Sequence, residues 1–329
     1  MGPLDSALRL RGVTKSFGAT RAVDGLDLVV PRGTTYGVIG PSGAGKTTCI
    51  RMIMSILFPD SGELSVLGHA SALQAKSRIG YLPEERGVYR KMRVGDFLSY
   101  IAQLKDVSEE TAAPRASQLL GRLGLEDVDR KRCEDLSKGM LQRVQFVAAI
   151  INEPELLILD EPFSGLDPVS VRLMKSVIAD EQRRGAAILF STHVMPHAEE
   201  LCQHVVMIHK GRKVLDEPMA GLRRQYDPEV IRFEPLDPDA DLSMLPLFPG
   251  VREVQPFEAG CELRLVPGTD PAGVMQQVAA AVAPARLELA RVRLEDVFVR
   301  LVADETHGDE AARALHASLR GHGTEAALS

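Results

Sequence analysis

Nine consecutive residues, Gly40-Pro41-Ser42-Gly43-Ala44-Gly45-Lys46-Thr47-Thr48, carry the spacing G-x-x-x-x-G-K-T. Set between a short β-prone run at Thr34 to Ile39 and a helical pattern from Lys46, that spacing makes a phosphate cradle, a P-loop. Its glycines let the backbone wrap a β-phosphate with successive N–H groups turned inward. Lys46 reaches the β and γ oxygens, and the Thr47 hydroxyl ligates Mg2+. A second stretch, "LLILDE" at Leu156 to Glu161, supplies carboxylates. Asp160, at the end of a strand beside the cradle, holds the metal's water shell; Glu161, one step further, polarises a water for attack on a γ-phosphate. His193 in "LFSTHVMPH" ends another apolar strand. There it touches the γ-phosphate or orients Glu161 and its water. His193 and His197 also read H-x-x-x-H, but Pro196 falls inside the would-be helix and no third ligand accompanies them, so zinc is not expected.

A second anion site is written at "LSKGM", Leu136 to Met140. Ser137 and Gly139 stand at the mouth of a helix whose Leu141, Val144, Val147, Ala148 and Ile151 are spaced to bury one face. Backbone N–H groups at such a turn, with the positive end of the helix dipole, attract an anion.

The elements that must hold these residues follow from pattern. Leu8 to Val30 alternates β-prone runs with Gly-containing turns, as an antiparallel sheet does. "FPDSGELSVLGH" reads turn, strand, turn, and Ile79 to Leu82 is a short strand stopped by Pro83. The pattern is then helical to Pro154, giving an insert over about 85–153, with Ser108 opening one helix. Leu156 to Leu159, Ile188 to Ser191 and Val205 to His209 are continuous apolar runs too short for helices and read as strands buried on both faces. Strands alternating with helices behind a P-loop predict a three-layer α/β core. Past Gly221 several prolines come in quick succession. The reading there is a linker over 222–229 and a small α+β domain over 230–303, with strands at Ile231 to Phe233, Val251 to Val254, Cys261 to Val266 and Leu287 to Ala290. Helices are expected at Ala272 to Val282 and Leu294 to Val302, and residues 304–329, without sustained period, read as a disordered tail.

With 329 residues the chain is long enough for two domains, and 39 Lys+Arg against 45 Asp+Glu, a net charge of −6, argues against a nucleic-acid partner. The four cysteines show no Cys-x-x-Cys, so they read as buried thiols in a reducing compartment. The first residues lack the basic patch and apolar run of a secretory signal, and Pro3 after Gly2 spoils the myristoylation pattern. No stretch approaches the roughly 20 apolar residues of a membrane helix.

Taken in order, "GPSGAGKTT", "YLPEERG", "LSKGM", "LLILDEP", "SGLD" and "STH" make the chain resemble the ATP-binding cassette (ABC) subunit of a transporter, over Leu8 to about Met219. The segment ending "RLEDVFVRLV" is similar to a small C-terminal domain on some bacterial export-type cassettes, including sodium-extrusion and multidrug-like subunits. The resemblance implies an ABC-type P-loop ATPase domain over 1–221, using ATP and Mg2+. It implies that two copies meet head to tail, so that Ser137 and Gly139 of one hold the γ-phosphate bound at Lys46 of the other, with Asp167 of "SGLD" crossing nearby. It further implies that Phe17 stacks on adenine, that the partner is a separate integral-membrane subunit, and that the chain itself is cytoplasmic and peripheral at the inner face of the cell membrane. Three departures stand out: Glu84 replaces the family's Gln and ligates Mg2+ but cannot donate a hydrogen bond, Lys138 replaces Gly, and Met140 replaces Gln. Tyr89, Met92 and Phe97 are read either as the groove surface for a short helix of the membrane subunit or as core of the insert. The expected function is an ATP-driven motor for a solute, outward. A soluble ABC-type ATPase acting on ribosome or nucleic acid, and a low-turnover nucleotide-gated regulator, are the alternatives.

Overall fold

The computed structural model describes residues 6–85, 87–226 and 229–306, and within them the chain forms two compact units. One comprises the residues up to Met219 together with the chain from Phe298; the other is Ala220–Val297.

The first unit is organised by a six-stranded sheet. β3 (Thr35–Ile39), β5 (Ile79–Leu82), β6 (Leu156–Asp160), β7 (Ala187–Thr192) and β8 (His204–His209) run parallel, and β9 (Arg212–Pro218) closes the edge antiparallel to β8, in the order β5-β6-β7-β3-β8-β9. Every residue of β3, β6 and β7 is buried, as required of parallel strands covered on both faces. Each Leu, Ile or Phe so removed from water contributes about 1.5–3 kcal/mol, which is why runs as short as "LLIL" hold their place.

Register places the chemistry at one end. Asp160 pairs with Ser191 and Ile39 with Thr192, so the segments leaving β3, β6 and β7 emerge side by side. A three-stranded antiparallel sheet, β2-β1-β4, is built from β1 (Ser6–Phe17), β2 (Thr20–Pro31) and β4 (Ser61–Val66). Leu8, Leu10, Leu26 and Leu28 from this sheet share one hydrophobic cluster with Ile50 and Ile53 of α1 (Lys46–Ile53) and with Leu156 and Ile158 of β6. The insert contributes α2 (Val94–Leu104), α3 (Glu109–Arg122) and α4 (Lys138–Ile150). In α2, Val94, Phe97, Leu98 and Ala102 make the buried stripe of an amphipathic helix. α5 (Pro168–Arg183) and α6 (Met195–Leu201) complete the layers around β7, and all four cysteines are buried and free.

The second unit carries a four-stranded antiparallel sheet, order β11-β12-β10-β13, made from β10 (Val230–Pro235), β11 (Val251–Phe257), β12 (Gly260–Leu265) and β13 (Pro284–Leu289). Ile231, Phe233, Leu263 and Leu265 pack with Val274 and Val278 of α8 (Pro271–Ala281). A helix, α7 (Met219–Tyr226), extends into the stretch expected to be linker, and α9 (Leu294–Thr306) covers the last helix expected from sequence. Most of the tail expected at 304–329 lies outside the described residues. Among the described residues no helix is long and apolar enough to cross a membrane.

Candidate active site

The P-loop leaves the end of β3 and enters α1 through three glycines with positive φ, Gly40 (152°), Gly43 (78°) and Gly45 (110°). Two of them are fixed by close approach as well. A Cβ at Gly40 would stand 2.2 Å from the Ile208 carbonyl oxygen, and one at Gly45 would stand 2.3 Å from that of Ala22. The loop is therefore threaded between the backbones of β2 and β8, with Ala44 buried and Pro41, Ser42 and Gly43 at its outer turn. The Ala44 N–H donates to the Pro41 carbonyl at 3.1 Å, and the first turn of α1, with Thr47 and Thr48, presents its N–H groups at the loop.

Lys46 is buried, and its ammonium donates to the carbonyls of Gly40 (2.8 Å) and Pro41 (3.2 Å), 3.8 Å from Glu161. Burial holds it below the usual lysine range, and the Glu161 and Asp160 charges oppose that shift. Asp160, fully buried at the end of β6, accepts from the Ser191 hydroxyl at 2.5 Å and lies 3.4 Å from the Thr47 hydroxyl. Burial pushes its carboxyl up. Its second oxygen, Oδ2, is buried and accepts no hydrogen bond. Glu84, two residues past β5, brings Oε2 to 3.5 Å from the same Thr47 hydroxyl. These three oxygen donors suit a hard divalent cation, and the orphaned Asp160 oxygen is what such an ion or its bound water would satisfy. Thr47, Glu84 and Asp160 therefore fit Mg2+.

Glu161 turns out of the strand at φ 47°, a left-handed conformation that a residue with a side chain holds at a cost. Its carboxylate accepts from the His193 backbone N–H (2.9 Å), the His193 ring Nδ1 (2.8 Å) and the Thr192 hydroxyl (3.2 Å). The hydrogen bond to Glu161 raises the His193 pKa above its ordinary value, against the effect of burial. Of the two sequence readings for His193, the orienting one has a direct contact. Ser191 and Thr192, which grip Asp160 and Glu161, are absent from the sequence-based set; their signal was the "ST" ahead of His193. His197 stands edge-on to Phe163 at 5.0 Å, and among the described residues no three His, Cys, Asp or Glu side chains gather as a metal site.

A second group forms elsewhere. Ser137 is the N-cap of α4 and accepts from the Met140 N–H at 3.3 Å. Gly139 sits against "SGLD": a Cβ there would lie 3.4 Å from Leu166 Cδ2. Asp167 caps α5, accepting from the Val169 and Ser170 N–H groups at 2.9 Å each and from the Ser170 hydroxyl at 2.6 Å, and these bonds hold its carboxyl low. Phe17, at the tip of the β1–β2 hairpin, is half exposed with the Lys15 ammonium 5.7 Å from its ring centre. No ion pair or side-chain hydrogen bond joins Ser137, Gly139 or Asp167 to the Lys46 group among the described residues.

A P-loop at the end of a central parallel strand, with an acidic pair at the end of a neighbouring one and an antiparallel β layer beside them, defines a P-loop ATPase of the ATP-binding cassette class. The family described as "ABC transporter" matches residues 23–164. An uncharacterised ABC transporter ATP-binding protein, YhaQ of Bacillus subtilis (strain 168), is 37% identical over 90% of this chain and 98% of its own length. The Nod factor export ATP-binding protein I of Rhizobium leguminosarum bv. viciae is 34% identical over 91% and 96%. A solved structure described as the ATP binding subunit of an ABC transporter aligns with a TM-score of 0.63 and 31% identity over 67% of this chain and 93% of that one. The chain belongs to the ABC transporter family, as an ATP-binding subunit, and is an ATPase.

Proposed function

We propose that the chain is the motor of an exporter. Two copies close head to tail on ATP, the P-loop of each facing Ser137 and Gly139 of the other, and hydrolysis reopens them beneath an integral-membrane subunit on the cytoplasmic side of the membrane. The observation that carries this reading is the separateness of two groups: one is gathered around Lys46, the other around the start of α4, and among the described residues no ion pair or side-chain hydrogen bond joins them. A triphosphate held on the first still has oxygens to offer a second set of donors, and a second copy can supply them.

In this reading Lys46 exchanges the Gly40 and Pro41 carbonyls for phosphate oxygens. Glu161, held by His193 and Thr192, accepts a proton from the attacking water, and Asp167 and Phe17 act at the dimer face and on adenine. Thr47, Glu84 and Asp160 would hold Mg2+, which when bound neutralises charge on the β- and γ-phosphates. Closure gains charge-assisted hydrogen bonds to the γ-phosphate from both faces, and its loss removes that differential affinity. Association and release thus become the stroke. Export is supported by the Rhizobium relative, whose name is that of an export protein.

The membrane subunit has a candidate seat. A groove of about 310 Å³ between α2, α4 and β5 is lined by apolar side chains including Met54, Leu73, Phe97, Ile101 and Leu104. Phe97 lines this groove and is itself buried, while Tyr89 is exposed, edge-on to Tyr100 at 5.5 Å, and is not among the lining residues. A short amphipathic helix is the natural occupant.

Light scattering of the Glu161→Gln protein tests the proposal. ATP is expected to double the mass, and adding Ser137→Arg to the same protein is expected to keep it monomeric with ATP bound. A Glu161→Gln protein that binds ATP and stays monomeric at high concentration would overturn the shared site.

A further inference from the structure

Positive charge is not shared evenly around the P-loop. Lys46 lies nearest Glu161, at 3.8 Å, and Arg51 pairs with Glu85 at 2.9 Å. Among the described residues neither Glu84 nor Asp160 has a cationic side chain within ion-pair distance. The Lys46 charge acts on both at longer range but is shared with Glu161, so among the described residues the two carboxylates that meet at Thr47, one of them fully buried, have no ion-pair partner of their own.

The hydroxyl between them cannot supply it. Thr47 Oγ1 is 3.5 Å from Glu84 Oε2 and 3.4 Å from Asp160 Oδ1, both too long for a good O–H···O bond, and its single proton serves one acceptor at a time. Asp160 Oδ2 accepts nothing at all. In an octahedral shell neighbouring ligand oxygens stand about 3.0 Å apart around Mg2+ and about 3.4 Å apart around Ca2+. The observed 3.4 and 3.5 Å match the wider of these spacings, so Mg2+ would draw the three oxygens closer together.

We propose that Thr47, Glu84 and Asp160 bind a divalent cation in the absence of nucleotide, and that Glu84 makes this possible. With a neutral amide at position 84 the site keeps one formal charge and waits for the phosphates to complete it; with Glu84 the protein is loaded with cation before ATP arrives. The inference rests on the reading of this site as the nucleotide's metal site, and it adds an order of binding set by one side chain.

The probe is Mn2+ alone, titrated into the nucleotide-free full chain while the paramagnetic resonance signal of free Mn2+ is followed, with Mg2+ as competitor. The expected result is one Mn2+ per chain, displaced by Mg2+. Binding should weaken roughly tenfold in Glu84→Gln, because one unit charge is removed, and be lost in Asp160→Asn. Adding ATP should narrow the gap between wild type and Glu84→Gln, since the phosphates supply negative charge that the substitution removes. Glu84 is exposed and its charge repels that of Asp160, so without cation Glu84→Gln is expected to melt no lower than wild type. Absence of Mn2+ binding at millimolar concentrations, or equal binding by wild type and Glu84→Gln, overturns the proposal. Undiminished binding by Asp160→Asn does so too, because the ion then sits elsewhere. A fluorescent ATP analogue, titrated in EDTA and again in Mn2+, separates the two readings. A chain that binds it in neither condition fails as a nucleotide site, whereas one that binds it but takes no cation beforehand fails only here.

Discussion

One oxygen of Glu161 receives two hydrogen bonds from His193, from the backbone N–H at 2.9 Å and from ring Nδ1 at 2.8 Å. The two residues are 32 positions apart in sequence and are joined because β6 and β7 are neighbours. A carboxylate only accepts, so Nδ1 carries the proton in this pair. The arrangement fixes a carboxylate that would otherwise sample several rotamers.

Because His193 has a folded-state pKa raised above 6.5, its bond to Glu161 contributes stability that is fully present below pH 6.5 and is lost as the pH climbs through the raised value. Melting curves across that range should show this slope in wild type and lose it in His193→Gln. Turnover in His193→Gln should drop by roughly 10²-fold, the usual scale for disturbing a general base, with little change in ATP affinity.

Gly45→Ala places a Cβ 2.3 Å from the Ala22 carbonyl at φ 110°. The strain is about 1–3 kcal/mol. Nucleotide binding should fall at least tenfold on the order of that strain, and thermal denaturation should show a lower Tm even without nucleotide.

Ser137 has two duties that two measurements can separate. Ser137→Ala removes the cap on the Met140 N–H and should cost about 1 kcal/mol in denaturant titrations. Ser137→Arg also fills the space a neighbour's phosphate would take. Denaturant titration reads the cap and ATP-driven association reads the phosphate seat: Ser137→Ala, which also loses the hydroxyl offered to the phosphate, should weaken association, and Ser137→Arg should abolish it; undiminished association of Ser137→Arg on ATP overturns the shared site.

Lys105 donates to the Ile79 and Ala149 carbonyls and to Asn152 Oδ1, and burial pulls its pKa down to about 8. A lysine depressed in the folded state penalises folding at low pH and releases that penalty as the pH rises from about 8 toward its ordinary 10.5. Wild type should therefore gain roughly 2–3 kcal/mol relative to Lys105→Met over that interval, measurable by urea titration at matched pH values.

Much of the architecture was legible because it was written in runs of one kind. "LLIL" and "ILFS" are strands because apolar runs that short, buried on both faces, are too short for a helix, and the glycine spacing of the P-loop survives without context. β9 carried no such mark: Arg212 to Pro218 is mostly half-buried or exposed, and its place at the sheet edge depends on pairing with β8. α7 was hidden for a similar reason, its Arg223, Arg224 and Gln225 reading as linker polarity. In the site, residue types announced Lys46, Asp160 and Glu161, but the grip of Ser191 and Thr192 on the two carboxylates is a product of register, which sequence spacing cannot supply. Ser137 was read at the mouth of its helix, whereas the cap that Asp167 places on α5 was not.

The strands that deliver the P-loop, the acidic pair and His193 are hydrogen-bonded to one another in unbroken succession, β6 to β7 to β3. No partial opening can release one of these groups and spare the others, because the amides involved belong to a single cooperative block. Hydrogen exchange at Ile39, Asp160 and Thr192 should proceed only through global unfolding, and heat inactivation should coincide with loss of the whole domain rather than precede it.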